Sequence, residues 1–390
     1  MTVWIIEPRD PLIFRDGRPF EAVPGAIASS LPFPFPSTTS GAVRTREGQD
    51  SQGKFRDEAI STVKEIPVQG PLLAEIDAET NDISRFLVRP PSDALLLELD
   101  PSYSAKADLR QLAPLQTNSK VTTNLPNGLQ LVGAQKPDLR KPAEHAPRYW
   151  YWEFFQNWLM DPKEGEIALK DIGHDGPVRE GRTHVGINPE TRTADVEQGA
   201  LFHTRGLEFT FPGHKPYLSH TRRLALIVET DAPNLRDGLG FLGGERRLVM
   251  WRKTEKPLPG CPASLRDEIV RQRHCRLILL TPGYFESGWK PQYLLNPSMG
   301  VSPKLRAIAV GRPQVASGWD MEQRRPKPAR RLAPSGTVLF LELEGQEDSI
   351  RNWVDATWMS CVSDNRQDRL DGFGLAVLGV WDGTPRRMEV

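Results

Sequence analysis

Asp371-Gly372-Phe373-Gly374 runs straight into Leu375-Ala376-Val377-Leu378-Gly379-Val380-Trp381, a glycine-flanked aromatic followed by an almost wholly apolar stretch. The order reads as a loop feeding a buried strand, because glycine supplies positive φ and close backbone approach where the chain must turn. Such a loop either only turns the chain or presents its amides to a phosphate, with Phe373 as a stacking face. Gly238-Leu239-Gly240-Phe241-Leu242-Gly243-Gly244 leads toward Trp251 in the same manner. This second stretch has the form G-x-G-x-x-G, but a dinucleotide site needs a helix after its glycines. Leu248-Val249-Met250-Trp251 reads as a strand, which excludes the Rossmann reading.

Outward from these loops, Val3 to Ile6 reads as a buried first strand and Leu31 to Pro36 as a proline-rich loop. A helix should start next, with Ser37 or Thr38 as its N-cap and a first turn of small residues through Thr45. Residues 46–145 alternate short apolar runs, such as 86–88 and 94–99, with Pro, Asp and Asn, the pattern of strands joined by long connections. Tyr149 to Met160 reads as a helix whose aromatic stripe faces a core. Arg222 to Glu229 predicts a strand, Asp231 to Leu235 the start of a short helix ending at Gly238, and Arg246 to Trp251 another strand. Strands are expected at 277–281, 305–310 and 338–343, and a helix at 347–359. Both halves then end as helix, glycine-rich turn and a strand closing on tryptophan. The expected class is α+β: two ferredoxin-like (RRM-like, βαββαβ) domains with long insertions and glycine-rich loops. The boundary falls in Lys256-Pro257-Leu258-Pro259-Gly260, giving domains 1–256 and 257–390.

The 390 residues carry 50 basic and 50 acidic side chains, so no global field draws the chain to nucleic acid and any such surface must be local. The basic residues are 36 Arg and 14 Lys, a bias toward the planar fork that matches phosphate and stacks on bases; genomic base composition produces the same bias. Cys261, Cys275 and Cys361 lack C-x-x-C spacing, which indicates no zinc site and suits a reducing compartment. The N-terminus lacks a basic leader and no apolar run reaches ~18 residues, so a cytoplasmic location away from membranes is expected.

Two polar segments stand out. Arg182 to Ala194 followed by Gln198 to Arg205 reads as two strands joined by an arm able to bind phosphate, a thumb over about 165–210. Arg324, Arg325, Lys327, Arg330 and Arg331 form the densest basic run, stiffened by Pro326 and Pro328, either a solvated loop or a wall that tracks phosphates.

Pro36-Ser37-Thr38-Thr39-Ser40-Gly41-Ala42-Val43-Arg44, the arm from His184 through Phe202, Gly243-Gly244-Glu245-Arg246 and Gly372-Phe373-Gly374 together resemble the RAMP superfamily of CRISPR proteins. Gly318-Trp319-Asp320, Pro326-Lys327-Pro328-Ala329-Arg330-Arg331 and Pro334 to Val338 narrow the resemblance to the third subunit of the Cmr complex, the type III-B RNA-guided effector of antiviral defence. The resemblance implies a noncatalytic subunit, with no cofactor and no metal, that grips the 5′ tag of the crRNA in a ribonucleoprotein complex. Its partners would be the large polymerase-like subunit and an adjacent backbone RAMP subunit, with target RNA met only through the assembled complex. Ser37, Thr38 and Ser40 would offer amides and hydroxyls to phosphate, with Arg44 adding charge. Arg182, His184, Asn188, Arg192 and Thr193 would act from the thumb, and Gly243, Gly244, Gly372, Phe373 and Gly374 would admit the RNA backbone. Two alternatives belong to the same superfamily: an endoribonuclease that processes precursor crRNA, and the equivalent type III-A subunit. For the former, no histidine precedes His145, and His174, His184, His203, His214 and His220 show no spacing that identifies a dyad.

Overall fold

The computed structural model describes all residues except 16–26, 29, 51, 100–104, 118–121, 195–200, 212–220, 321–324 and 390. His214, His220 and Arg324 therefore lie outside the described residues. In the first part of the chain the elements that matter are β1 (Thr2–Pro8), α1 (Pro36–Glu47), β2 (Val68–Ile76), β3 (Ile83–Val88), α2 (Trp152–Met160), β4 (Val178–Val185), β5 (Leu201–Glu208), β6 (Arg222–Thr230), β7 (Gly238–Phe241) and β8 (Leu248–Thr254). They are followed by α3 (Ala263–Gln272), β9 (His274–Leu279), β10 (Ser302–Ala309), β11 (Gln314–Ala316), β12 (Arg330–Leu332), β13 (Val338–Glu344), α4 (Glu347–Thr357), α5 (Arg366–Asp371) and β14 (Leu375–Val380). The class is α+β with mainly antiparallel sheets, as expected.

Two sheets organise the molecule. In the first, β2, β6, β1 and β8 lie side by side in that order; in the second, β10, β13, β9 and β14 do. Taking each set in chain order, both read second, third, first, fourth, and every neighbouring pair is antiparallel. The helices differ. The first sheet has α1 between its first and second strands, whereas the second has α4 between its third and fourth.

The helix expected from Asp231 does not form. Asn234 donates both its backbone amide and its side-chain amide to Glu47 at the end of α1, at 2.9 and 2.7 Å, and this holds the segment as a turn leading into β7. The stretch from Tyr149 also differs from its reading, since Tyr149–Tyr151 is a strand of the first sheet, paired between β3 and Gly173–His174, and the helix starts at Trp152. Neither Ser37 nor Thr38 caps α1. Phe35 holds the cap position and Pro36 opens the helix, where its missing N–H leaves nothing unpaired. Helix α3 has no counterpart among the expected elements; its Leu265, Ile269 and Val270 are buried in the same core as Ile350, Trp353 and Val354 of α4.

Strand β1 shows how the core is divided. Val3 and Ile5 point into a large core that continues through α2 to both faces of the second sheet, while Trp4 and Ile6 point into a second core closed by Val43 of α1, Phe14 and Trp251. A strand buried on both faces reads as a continuous apolar run, which is what 3–6 is. Burial of each of these large side chains stabilises the fold by about 1.5–3 kcal/mol.

Candidate nucleic-acid interface

The open side of α1 forms one wall of a groove of about 700 Å3, and the loop from Leu239 to Arg246 forms the other. Gly243 has φ +76°, and a Cβ there would sit 2.6 Å from the Ile13 carbonyl oxygen, so only glycine lets this loop lie against the segment after β1. The next amide, that of Gly244, donates to the same oxygen at 2.7 Å. Glu245 and Arg246 follow at φ +58° and +51°, two consecutive left-handed residues of the kind that concentrate at functional loops.

That geometry turns charge and aromatic surface into the groove. Arg46 of α1 donates to the carbonyls of Arg236 and Leu239, at 2.8 and 3.0 Å, and lies 5.7 Å from the centre of the Trp251 ring. Burial lowers its pKa from the usual value, with Asp237 opposing that shift. Arg246 lies over Phe241 at 4.6 Å, and Phe241 and Leu239 are both exposed despite their size. Arg15, half-exposed, completes the rim beside Glu245. The Arg246 guanidinium set over the accessible Phe241 ring makes a surface that offers charge to a phosphate chain and a face to a base.

Gly372-Phe373-Gly374 takes a different place. Gly372 ends α5 in the left-handed conformation, and a Cβ on it would sit 2.6 Å from Gly70 O and 2.7 Å from Val68 O, in the backbone of β2. Phe373 is wholly buried, in a small cluster with Ala316 and Leu332, and so presents no stacking face. The loop is a seam between the two sheets. Arg44 belongs to the same seam: it is paired with Asp371 and donates to Ile66 O at 2.9 Å and Leu370 O at 3.0 Å. Its guanidinium is occupied by protein and does not reach the groove. Ser37 and Thr38 are half-buried near the helix start, and Ser40 is buried.

The family profile described as CRISPR-associated protein (Cas_Cmr3) matches residues 4–381. The chain belongs to the Cas_Cmr3 family. This bears out the expected Cmr-type CRISPR subunit. Solved structures similar to this Cas_Cmr3 chain include a type III-B Cmr-beta complex bound to cognate target RNA and AMPPnP, at 14% identity over 91% of this chain and 88% of that one, TM-score 0.45. A type III-B Cmr-beta complex bound to cognate target RNA matches at 15% identity over 87% and 86%, TM-score 0.45. The Csm3–Csm4 subcomplex of a type III-A interference complex matches at 10% identity over 89% and 94%, TM-score 0.35. Among curated proteins no match is found.

In this Cas_Cmr3-family chain the expected thumb is an antiparallel ribbon of β4 and β5, with Ile27–Ala28 pairing parallel to β5 as a third strand. Asn188 shapes its tip, accepting from the amides of Glu190 and Thr191, while Arg192, at φ +56°, and Thr193 stand exposed beyond it. Arg182 is exposed and pairs with Glu180 at 2.9 Å, a hydrogen bond that raises its pKa. His184 bonds Thr204 at 2.8 Å and stacks on Phe202. His203 bonds Thr183 at 3.0 Å, and register puts it on the opposite face of the ribbon from His184, so these two cannot act as a dyad. His174 is buried, stacked on Phe211 and bonded to Glu75 at 3.1 Å.

The basic run is divided as well. Arg330 is held by both oxygens of Asp368, at 2.6 and 2.7 Å, and lies over Tyr284 and Phe373. Arg325, Lys327 and Arg331 are exposed on an arm where Trp319–Asp320 pairs with Arg325–Pro326 and β11 with β12. The sequence reading missed Arg46, Phe241 and Arg246 as groove residues. The signal available was G-x-G-x-x-G followed by a strand, a glycine loop with no helix to serve. Among the described residues, no group of three His, Cys, Asp or Glu could hold a metal, and no helix is long and apolar enough to cross a membrane.

Proposed function

We propose that this Cmr-type protein is a noncatalytic RNA-binding subunit of a type III-B effector, that it grips the 5′ tag of the crRNA, and that it docks on the large polymerase-like subunit. The observation that carries the reading is the groove beside α1, which Arg15, Arg46 and Arg246 line together with the exposed ring of Phe241, Arg246 lying over that ring. Exposed Lys327 and Arg331 extend the positive surface on one arm, and the thumb, with Arg182 and Arg192, is a natural contact for the adjacent backbone subunit. The shared strand order of the two sheets supports two ferredoxin-like units, 1–256 and 257–390, each with one of its two helices missing or replaced. The structural partners of His174, His184 and His203 support binding without cleavage.

The test is binding of the full chain to a short RNA bearing the repeat-derived 5′ tag, titrated over salt. Changing Arg46 and Arg246 to Ala should weaken binding and reduce the salt slope by about 1 for each phosphate that is no longer neutralised. Phe241→Ala should weaken binding by about 1–3 kcal/mol with an unchanged slope. An unaltered slope in the double arginine variant removes the groove from the interface, and cleavage of the RNA that His184→Ala abolishes overturns the noncatalytic reading.

A further inference from the structure

The two walls of the groove beside α1 differ in chemistry. The loop wall supplies a cation over an aromatic ring, Arg246 on Phe241, whereas the helix wall supplies Thr38, Ala42, Thr45, Arg46 and Gln49. At 3.6 residues per turn, Thr38, Thr45 and Gln49 fall within about 40° of one another, with Ala42 beside them and Arg46 further round. Gly48 ends the helix in right-handed conformation, at φ −78°, and so carries the turn on to Gln49. Thr45 is exposed, and Thr38 and Gln49 are half-buried. Among the described residues, none of these three side chains has a hydrogen-bond partner. Thr39 makes the contrast: it is buried on the other side of the helix and donates to Pro36 O at 3.0 Å, as a threonine does when only its own backbone is in reach.

The helix wall thus offers accessible, neutral groups that both donate and accept. Phosphate oxygens only accept, and Arg15, Arg46 and Arg246 already serve them with charge. A base face is served by Phe241. What remains of a nucleotide is its sugar, and the 2′-hydroxyl of ribose is itself both donor and acceptor, the group that separates RNA from DNA. Ala42 suits this arrangement, because its methyl leaves room for a sugar to approach the helix between Thr38 and Thr45. The rise from Thr38 to Gln49 is about 16 Å, enough for more than one ribose to lie along the wall.

We propose that Thr38, Thr45 and Gln49 hydrogen-bond 2′-hydroxyls of the bound RNA, which makes the helix wall the part of the groove that selects ribose over deoxyribose. This rests on the RNA-binding reading above and adds sugar selection to a grip that otherwise follows charge and stacking.

The test compares the tag-bearing RNA with DNA of the same sequence on the full chain, and then with RNAs carrying one 2′-deoxy position at a time. The native protein should bind the RNA about tenfold or more tighter than the DNA, the worth of two or three hydrogen bonds, and the scan should find adjacent sensitive positions. Thr38→Val, Thr45→Val and Gln49→Leu keep side-chain size and remove only the polar group. Each should cut the preference for RNA by about threefold while leaving DNA affinity and the salt slope unchanged. Equal affinity for RNA and DNA, or a scan of the native protein with no sensitive position, overturns the proposal and leaves the RNA-binding reading standing. Variants that weaken RNA and DNA alike, at an unchanged melting temperature, overturn it too, since the three side chains would then meet phosphate or base. No binding to either nucleic acid overturns both readings.

Discussion

Arg276 and Asp93 form an ion pair, Nη1 to Oδ2 at 2.5 Å, with both side chains wholly buried. Arg276 is on β9 of the second sheet and Asp93 belongs to the long insertion of the first part. The remaining guanidinium nitrogens donate to Val380 O at 3.0 Å, Trp158 O at 2.6 Å and Leu159 O at 3.1 Å, so the arginine also satisfies carbonyls at the end of α2. Trp158 Nε1 closes the network on Asp93 at 3.1 Å. A buried pair of this kind ties insertion, helix and second sheet into one unit, and its cost appears when one partner is removed.

Asp93→Ala should therefore lower stability by about 3–5 kcal/mol, because it strands a buried guanidinium. Urea unfolding followed by tryptophan fluorescence measures this, and both sheets should melt in one transition in the native chain. A loss below about 1 kcal/mol would mean that water reaches the arginine readily.

Arg44 and Arg46 are two residues apart on α1, and helical geometry turns them about 200° from each other. Arg44 meets Asp371 in the seam, whereas Arg46 faces the groove. Arg44→Ala should cost about 3 kcal/mol of stability, as removal of a largely buried partner does, and leave the salt slope of RNA binding intact. Arg46→Ala should lower the slope, at a stability cost of its own because it removes the hydrogen bonds to Arg236 O and Leu239 O. If both variants shift the slope equally, the division of the helix between the two tasks is refuted.

The contrast between these arginines marks where the sequence was legible. Strands announced themselves through apolar runs, as at 3–6, 338–343 and 375–380, and the thumb through alternation ending at Asn188-Pro189. Each of those signals is local. Helix α3 is short, mostly polar and preceded by a proline-rich linker, and only packing against α4 reveals its use. The turn at Asp231 was hidden because its partner, Glu47, lies 187 residues away. Which arginine meets solvent, and that Phe373 is buried while Phe241 is exposed, follow from the docking of two sheets, which no periodicity encodes.

The three free cysteines give a check on packing. Cys275 is fully buried and burial raises its pKa strongly; burial also pushes the Cys361 thiol up to about 12 and the Cys261 thiol up to about 11. Since the thiolate is the reacting form, iodoacetamide at pH 8 should leave the native protein unlabelled over minutes and label all three sites once urea is added. Intact-mass measurement reads the number of labels directly. Fast labelling of Cys361 in the native state would show that the end of the second sheet is open.

The seam can be tested at its glycine. Gly372→Ala meets two costs: a left-handed conformation at φ +96°, and a Cβ 2.6 Å from the Gly70 carbonyl oxygen of β2. Gly53 is a matched control, at φ +78° with nothing within 4 Å of an added Cβ. Gly53→Ala should cost about 1–2 kcal/mol, the conformational part alone. Gly372→Ala should cost about 4 kcal/mol or more, because β2 must also move away from α5. Equal losses would mean that the two backbones separate freely, and the glycine would then owe its place to something approaching from outside the protein. A large difference assigns it to the contact between the sheets, which holds α1 and its groove in register with the second half of the chain.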